Sequence, residues 1–178
     1  SDSLLNAAVA IALQHDEHVD PAEINAILTH YSDTVRSRVR GTQQQALLAH
    51  LHELLFEIEG FTGNNDDYYT PANSLISDVL HTRKGLPITL SLIYKLICDK
   101  IGIECDGVGL PGHFIVRVKT DGVITYIDPF FGGIVLTPDD AMLRMRETIG
   151  EEAEWSDEYL QPISHQQWVA RMLVKRQS

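Results

Sequence analysis

Two residues in this sequence are placed to do acid–base chemistry. They are His113, directly after Pro111-Gly112, and Asp128, directly before Pro129. The segment joining them reads HFIVRVKTDGVITYID, two apolar-rich stretches around Asp121-Gly122. If Asp121-Gly122 is a two-residue turn, Thr120 pairs with Val123 and paired residue numbers sum to 243. Asp128 then faces Ile115, and His113 faces Phe130. Residues two apart on a strand share a face, so His113 and Asp128 become diagonal neighbours on one side. Diagonal backbones are about 7–8 Å apart, within reach of these side chains. A carboxylate bonded to one imidazole nitrogen fixes the tautomer and directs the other nitrogen at a substrate or nucleophile. Taken singly, His113 could be a turn histidine held by a backbone carbonyl, and Asp128 a strand-end acid capping the turn before Pro129. The shared face and a nearby helix opening at Pro87 favour the pair.

The elements that must position this pair are legible from periodicity and caps. Leu4, Leu5, Ala8, Ile11 and Ala12 recur at helical spacing. Asp20-Pro21-Ala22-Glu23 is a helix start, with a cap, proline at the first position and an acid at the third. That helix is expected to run to about Arg40, with Ile24, Ile27, Leu28, Tyr31 and Val35 inward and Gly41 ending it. A third helix follows, with Leu47, Leu48, Leu51, Leu54, Leu55 and Ile58 inward. Gly60 to Tyr69 is a turn-rich loop, after which Asn73 or Ser74 caps a short helix through about Leu80. A central helix spans roughly Pro87 to Ile101. Its apolar residues leave only a narrow stripe at Ser91, Lys95 and Asp99, so it is buried on nearly every side. Strands follow at about 104–110, 113–119, 123–128 and 134–136, with Phe114, Val116 and Val118 facing a core away from His113. Thr137-Pro138-Asp139-Asp140 opens a further helix. A last amphipathic segment, Ser164 to Val174, carries Trp168, Met172 and Leu173. Helices first and an antiparallel sheet after them make the fold α+β.

Composition narrows the function classes. A chain of 178 residues buries roughly 70% of its unfolded surface. Its apolar fraction of 44% is ordinary for a globular protein and argues against disorder. Neither the apolar run from Gly85 to Ile97 nor Leu4 to Leu13 reaches the ~20 apolar residues of a membrane span. The N-terminal run also lacks the preceding positive charge of a secretory signal. Lys plus Arg total 14 against 25 Asp plus Glu, a formal charge of −11, which disfavours nucleic acid as a partner. Two cysteines, Cys98 and Cys105, are too few for a disulfide scaffold and fit a reducing, cytoplasmic setting.

A set of short motifs resembles the transglutaminase-like superfamily, which shares the papain-type arrangement of Cys, His and Asp, and within it the bacterial SirB-type branch. The motifs are Phe61-Thr62-Gly63-Asn64, Tyr68-Tyr69, Pro71-Ala72-Asn73-Ser74, the run Arg83 to Leu92, Gly107 to Phe114, Ile127-Asp128-Pro129-Phe130 and Gly132-Gly133. The likeness covers most of residues 4–175, is specific over 61–133 and loose elsewhere. It implies a transglutaminase-like, cysteine-proteinase-like α+β fold. The parts are an N-terminal helical section (1–60), a core (61–136) and a C-terminal helical section (137–178), all one domain. Relatives of this branch often continue into a helical repeat, which makes the chain a short member or a piece of a longer protein. In active members the nucleophilic cysteine follows a Gly-x pair and opens the central helix, and a Gly-Ile pair closes that helix about fifteen residues later. Counting back from Gly102 lands on Pro87, after Gly85-Leu86. A helix N-terminus lowers a thiol's pKa. Proline offers no ionisable group, only a pre-organised first helical position. The resemblance therefore implies that the nucleophile is lost, with His113 and Asp128 as a vestigial pair.

No other residue replaces the thiol. Thr89 points roughly 200° away from Pro87 around the helix axis. Cys98 lies three turns down a buried helix, where cysteine behaves as a small hydrophobe, and Cys105 opens a strand at the far end. A Cys98–Cys105 disulfide is disfavoured by the reducing setting. His15-Asp16-Glu17-His18 has metal-ligand types but no complementary set elsewhere, so a solvated loop is expected and no metal or cofactor. His50 and His52 read as surface or boundary residues. Tyr68 and Tyr69 are candidate rims of a binding cleft, and Asn73 is either a helix cap or a hydrogen-bond donor into that cleft. The expected function is a catalytically inactive, cytoplasmic, regulatory or scaffold module that binds a protein or peptide in the old cleft. The rival is a hydrolase or acyltransferase in which the His113–Asp128 pair activates water or a substrate hydroxyl. A third reading leaves the pair only to stabilise the hairpin.

Overall fold

The computed structural model describes residues 2–65 and 74–177. Three helices come first: α1 (Asp2–His15), α2 (Pro21–Ser37) and α3 (Gln44–His52). Asp20 caps α2 by accepting from the Ala22 N–H at 3.0 Å. The helix stops at Ser37, short of the Arg40 expected from sequence. Its last turn tightens, and the Arg38 and Val39 N–H groups bond carbonyls only three residues back. Gly41, with φ +79°, lies beyond that turn.

The chain then leaves α-helical geometry in a π-turn, Glu53–Ile58, continuous with α3. The wider winding changes the phase of the apolar stripe. Leu47, Leu51, Leu54 and Leu55 stay buried, but Ile58 is 52% exposed, against the sequence expectation of an inward residue. Two short strands, β1 (Thr62–Gly63) and β2 (Lys84–Gly85), pair in parallel and bracket helix α4 (Ile76–Thr82). Leu75, rather than Ser74, stands at the N-cap position of α4, and it makes no side-chain cap bond. The Ser74 carbonyl instead accepts the Thr89 hydroxyl at 2.9 Å. The other proposed cap, Asn73, lies outside the described residues.

Helix α5 (Pro87–Ile101) starts and ends where its proline and glycine place it, with Gly102 in the left-handed conformation behind it. It is buried nearly all round, Ser91 and Lys95 included. Lys95 reaches out of the core to the Asp99 carboxylate at 2.9 Å and the Cys105 carbonyl at 2.7 Å.

Four antiparallel strands follow in the order β3 (Glu104–Leu110), β4 (His113–Thr120), β5 (Val123–Asp128) and β6 (Ile134–Leu136). The β4–β5 register is the one the turn arithmetic gives, with Thr120 opposite Val123 and Val116 opposite Ile127. Phe114, Val116 and Val118 enter the main core with α5. The other face is not open. Val108, Leu110, Ile115, Leu136, Ala141 and Leu160 form a second small core there, beneath α6 (Pro138–Ile149). Thr137 and Asp140 close a reciprocal capping box at the start of α6, at 3.1 and 2.9 Å. Helix α7 (His165–Gln177) returns to the main core through Trp168 and Met172. Ser164 and Gln167 cap it reciprocally. No helix among the described residues is long and apolar enough to cross a membrane.

Candidate functional site

The site grows from the ends of β4 and β5. His113 is the first residue of β4 and Asp128 the last of β5, and their shared face brings His113 Nε2 to 2.8 Å from Asp128 Oδ2. Both are buried, Asp128 completely. Donation of Nε2–H to the carboxylate leaves Nδ1 as the basic nitrogen of the ring. The second carboxylate oxygen is held by the Phe130 N–H at 3.1 Å, the cap of a single 3₁₀ turn over Pro129–Phe131. The Phe130 and Phe131 rings stand 6.1 and 5.9 Å from the imidazole, the first edge-on.

A third charged group joins the pair from a distant element. Arg144 of α6 lies with Nε 3.5 Å from Asp128 Oδ2 and its guanidinium 4.0 Å above the Phe131 ring. Its Nη1 also meets Glu147 at 3.2 Å. The buried carboxylate therefore sits between a histidine and an arginine, with a backbone donor behind it. With one oxygen on the imidazole and the other on the Phe130 N–H, the carboxylate holds the ring in one orientation. Sequence reasoning missed Arg144. The available signal was its place three residues after Ala141 and next to Met145, the two buried residues of α6.

Next to the histidine is a cavity of about 310 Å³. Pro87 and Ile88 wall it from the opening of α5, Gly112, His113 and Phe114 from the β3–β4 turn, and Ala170, Arg171 and Val174 from α7. The structure thus brings Pro87 and His113 to one cavity wall. Gly112 holds φ +75°, and a side chain there would collide with Ile149 and Thr148, so a bare glycine lets α6 close over the turn.

Chain matches agree with this geometry. The model of the transglutaminase-like superfamily matches residues 22–174. The chain belongs to the transglutaminase-like superfamily. Among similar proteins is a UPF0162 protein of Xylella fastidiosa (strain Temecula1), 33% identical over 174 residues, 96% of this chain and 62% of the relative. A UPF0162 protein of Pseudomonas aeruginosa is 28% identical over 169 residues, 91% of this chain and 59% of the relative. The human F-box only protein 21 is 35% identical over 74 residues, 42% of this chain and 12% of that protein. The chain thus spans about 60% of the length of the UPF0162 relatives named here. No solved structure matches it.

Other sequence candidates of this transglutaminase-like chain fall away from the cavity. Thr89 is fully buried and donates to Ser74. Cys98 and Cys105 are free, buried and hydrogen-bonded to one another, and burial pushes the Cys98 thiol far up. No three His, Cys, Asp or Glu side chains among the described residues converge as a metal site. His15 to His18 form an exposed helix-end turn. Tyr68, Tyr69 and Asn73 lie outside the described residues. His52 is more than the surface or boundary residue expected. Its Nε2 meets the buried Tyr94 hydroxyl at 2.6 Å, and burial lowers its pKa to about 4.

Proposed function

We propose that this chain is a catalytically inactive, SirB-type member of the transglutaminase-like superfamily, a cytoplasmic regulatory or scaffold module that binds a protein or peptide segment in the old active-site cleft. The observation that carries this reading is Pro87. It occupies the first position of the buried helix α5 and lines the same cavity as His113, whose Nε2 is bonded to Asp128. In an acyl-transfer site of this kind the helix opening supplies a thiolate, favoured by the positive end of the helix. A proline there keeps the helix start and removes the nucleophile. The retained cavity is walled mainly by apolar side chains with a few polar groups among them, the make-up of a binding site. Neither buried thiol substitutes, since both lie far from the opening of α5 and burial keeps the Cys98 thiol protonated.

The rival reading, a hydrolase or acyltransferase with His113–Asp128 as general base, needs no protein nucleophile and about 10²–10⁴ in rate from the base alone. One experiment separates the two. Wild-type protein and a folded His113→Ala variant are used as paired baits in a bacterial lysate, and both are assayed for hydrolysis of a p-nitrophenyl ester. The proposal expects a partner held by wild type and weakened by His113→Ala, with equal, background-level hydrolysis. Hydrolysis by wild type that disappears in His113→Ala would install the enzyme reading. Equal capture by both baits would put the interface elsewhere and leave the pair a stabiliser of the hairpin.

A further inference from the structure

Arg171 is the charged residue of the cavity that the His–Asp account leaves unused. It lies one turn after Trp168 on α7, and both side chains dock on glycines of β3. A Cβ on Gly107 would fall 2.6 Å from the Trp168 ring, and one on Gly109 would fall 2.5 Å from Arg171 Cζ. Gly109 has ordinary backbone geometry, so its bareness provides space rather than conformational freedom. The guanidinium rests on that bare backbone, donates from Nη2 to the Gly109 carbonyl at 3.3 Å, and stands 5.9 Å from the Phe114 ring centroid. It is held in place before any ligand arrives.

Among the described residues no acid neutralises its charge. Burial of its inner part lowers its pKa, and no neighbouring charge contributes to that shift. No carboxylate among the described residues pairs with it, although the chain carries a net charge of −11 and most other arginines near the core meet an acid. Arginine has five N–H donors in a planar fork suited to a carboxylate, and the Gly109 carbonyl engages one nitrogen. Beyond it the cavity is apolar, with Pro87, Ile88 and Phe114 inside and Val174, 63% exposed, at the mouth.

We propose that this cavity captures the free C-terminus of a peptide, its apolar last side chain against Pro87, Ile88 and Phe114 and its carboxylate on the Arg171 fork. This rests on the reading of the cleft as a peptide site and names the part of the peptide that enters. A C-terminal residue carries an apolar side chain and a carboxylate on one Cα, which matches an apolar wall and a single cation side by side. An internal acidic residue brings the carboxylate without the apolar body, and a phosphate dianion calls for more than one cation. The volume of about 310 Å³ is at the small end of ligand pockets, room for a terminal residue with the rest of the chain leaving past Val174. His113 lines the same cavity.

The test is a pair of minimal probes, N-acetyl-leucine and N-acetyl-leucinamide, titrated at millimolar concentration into isotope-labelled protein while amide resonances are followed. Wild type is expected to shift residues 112–114 and 170–174, with the acid binding roughly tenfold more tightly than the amide. Arg171→Gln should reduce the acid to the level of the amide, and Arg171→Lys, which keeps charge but not the fork, should fall between. Equal affinities for the two probes in wild type would overturn the carboxylate assignment and leave the cleft reading standing. A preference that survives Arg171→Gln would overturn it too, as would no shift with either probe. In that last case the paired-bait capture separately decides whether the cleft binds anything.

Discussion

Acid should weaken this fold through one histidine. His52, at the junction of α3 and the π-turn, is wedged against Phe56 and Tyr94, with ring centroids 5.4 Å away in each case, and its Nε2 meets the Tyr94 hydroxyl. Burial disfavours the imidazolium and brings its pKa from 6.5 to about 4. The unfolded chain takes up the proton near pH 6.5 and the folded chain refuses it until about 4. The stability due to neutral His52 is therefore complete above pH 6.5 and is lost as pH falls toward 4. At 1.36 kcal/mol for each pH unit of separation, the loss approaches about 3 kcal/mol. For a chain of this length that corresponds to a fall in Tm of about 6–12 °C. The assay is urea unfolding at pH 7 and pH 4 for wild type and His52→Gln, which keeps a neutral hydrogen-bonding group. Carboxylates that titrate in this range act on both proteins, so the difference between the two profiles isolates His52. Wild type should lose about 3 kcal/mol more than the variant over this interval. Parallel profiles would refute the reasoning.

Asp128→Ala should cost about 3–5 kcal/mol in denaturant unfolding, because it leaves His113, the Phe130 N–H and Arg144 without their common acceptor. Trp168→Ala should cost a similar amount, about 3–5 kcal/mol, since the ring is fully buried and fills the space over Gly107. Thr137→Ala opens the capping box of α6 and should cost about 1 kcal/mol, read as a shift of the unfolding midpoint without a change of slope.

Much of this molecule was legible in its sequence because the signals were local. Pro87 and Gly102 bound α5 in the structure as they do in the sequence, and Asp121-Gly122 sets a register that fixes which face every residue of the hairpin takes. The approach of His113 to Asp128 follows from that register alone. What sequence did not give came from elements far apart in the chain. Arg144 reaches Asp128 only because α6 folds back over β6, and Arg171 reaches the cavity only because α7 docks on two bare glycines. The π-turn after His52 winds one residue wider than the α-helical template assumes, and this turned Ile58 outward. Helix α4 begins so that Leu75, one residue beyond Ser74, takes the N-cap position.

The central claim is that Pro87 stands where a nucleophile would be activated, and Pro87→Cys tests it most directly. The two native thiols are buried, so they leave a low background for alkylation. The measurement is the rate of iodoacetamide modification of the variant against pH, alone and combined with His113→Ala. The account predicts an inflection well below the ordinary thiol value of about 8.5, moving upward when His113 is removed. An inflection at or above about 8.5 that ignores His113 would contradict it, because the opening of α5 would then not face the histidine.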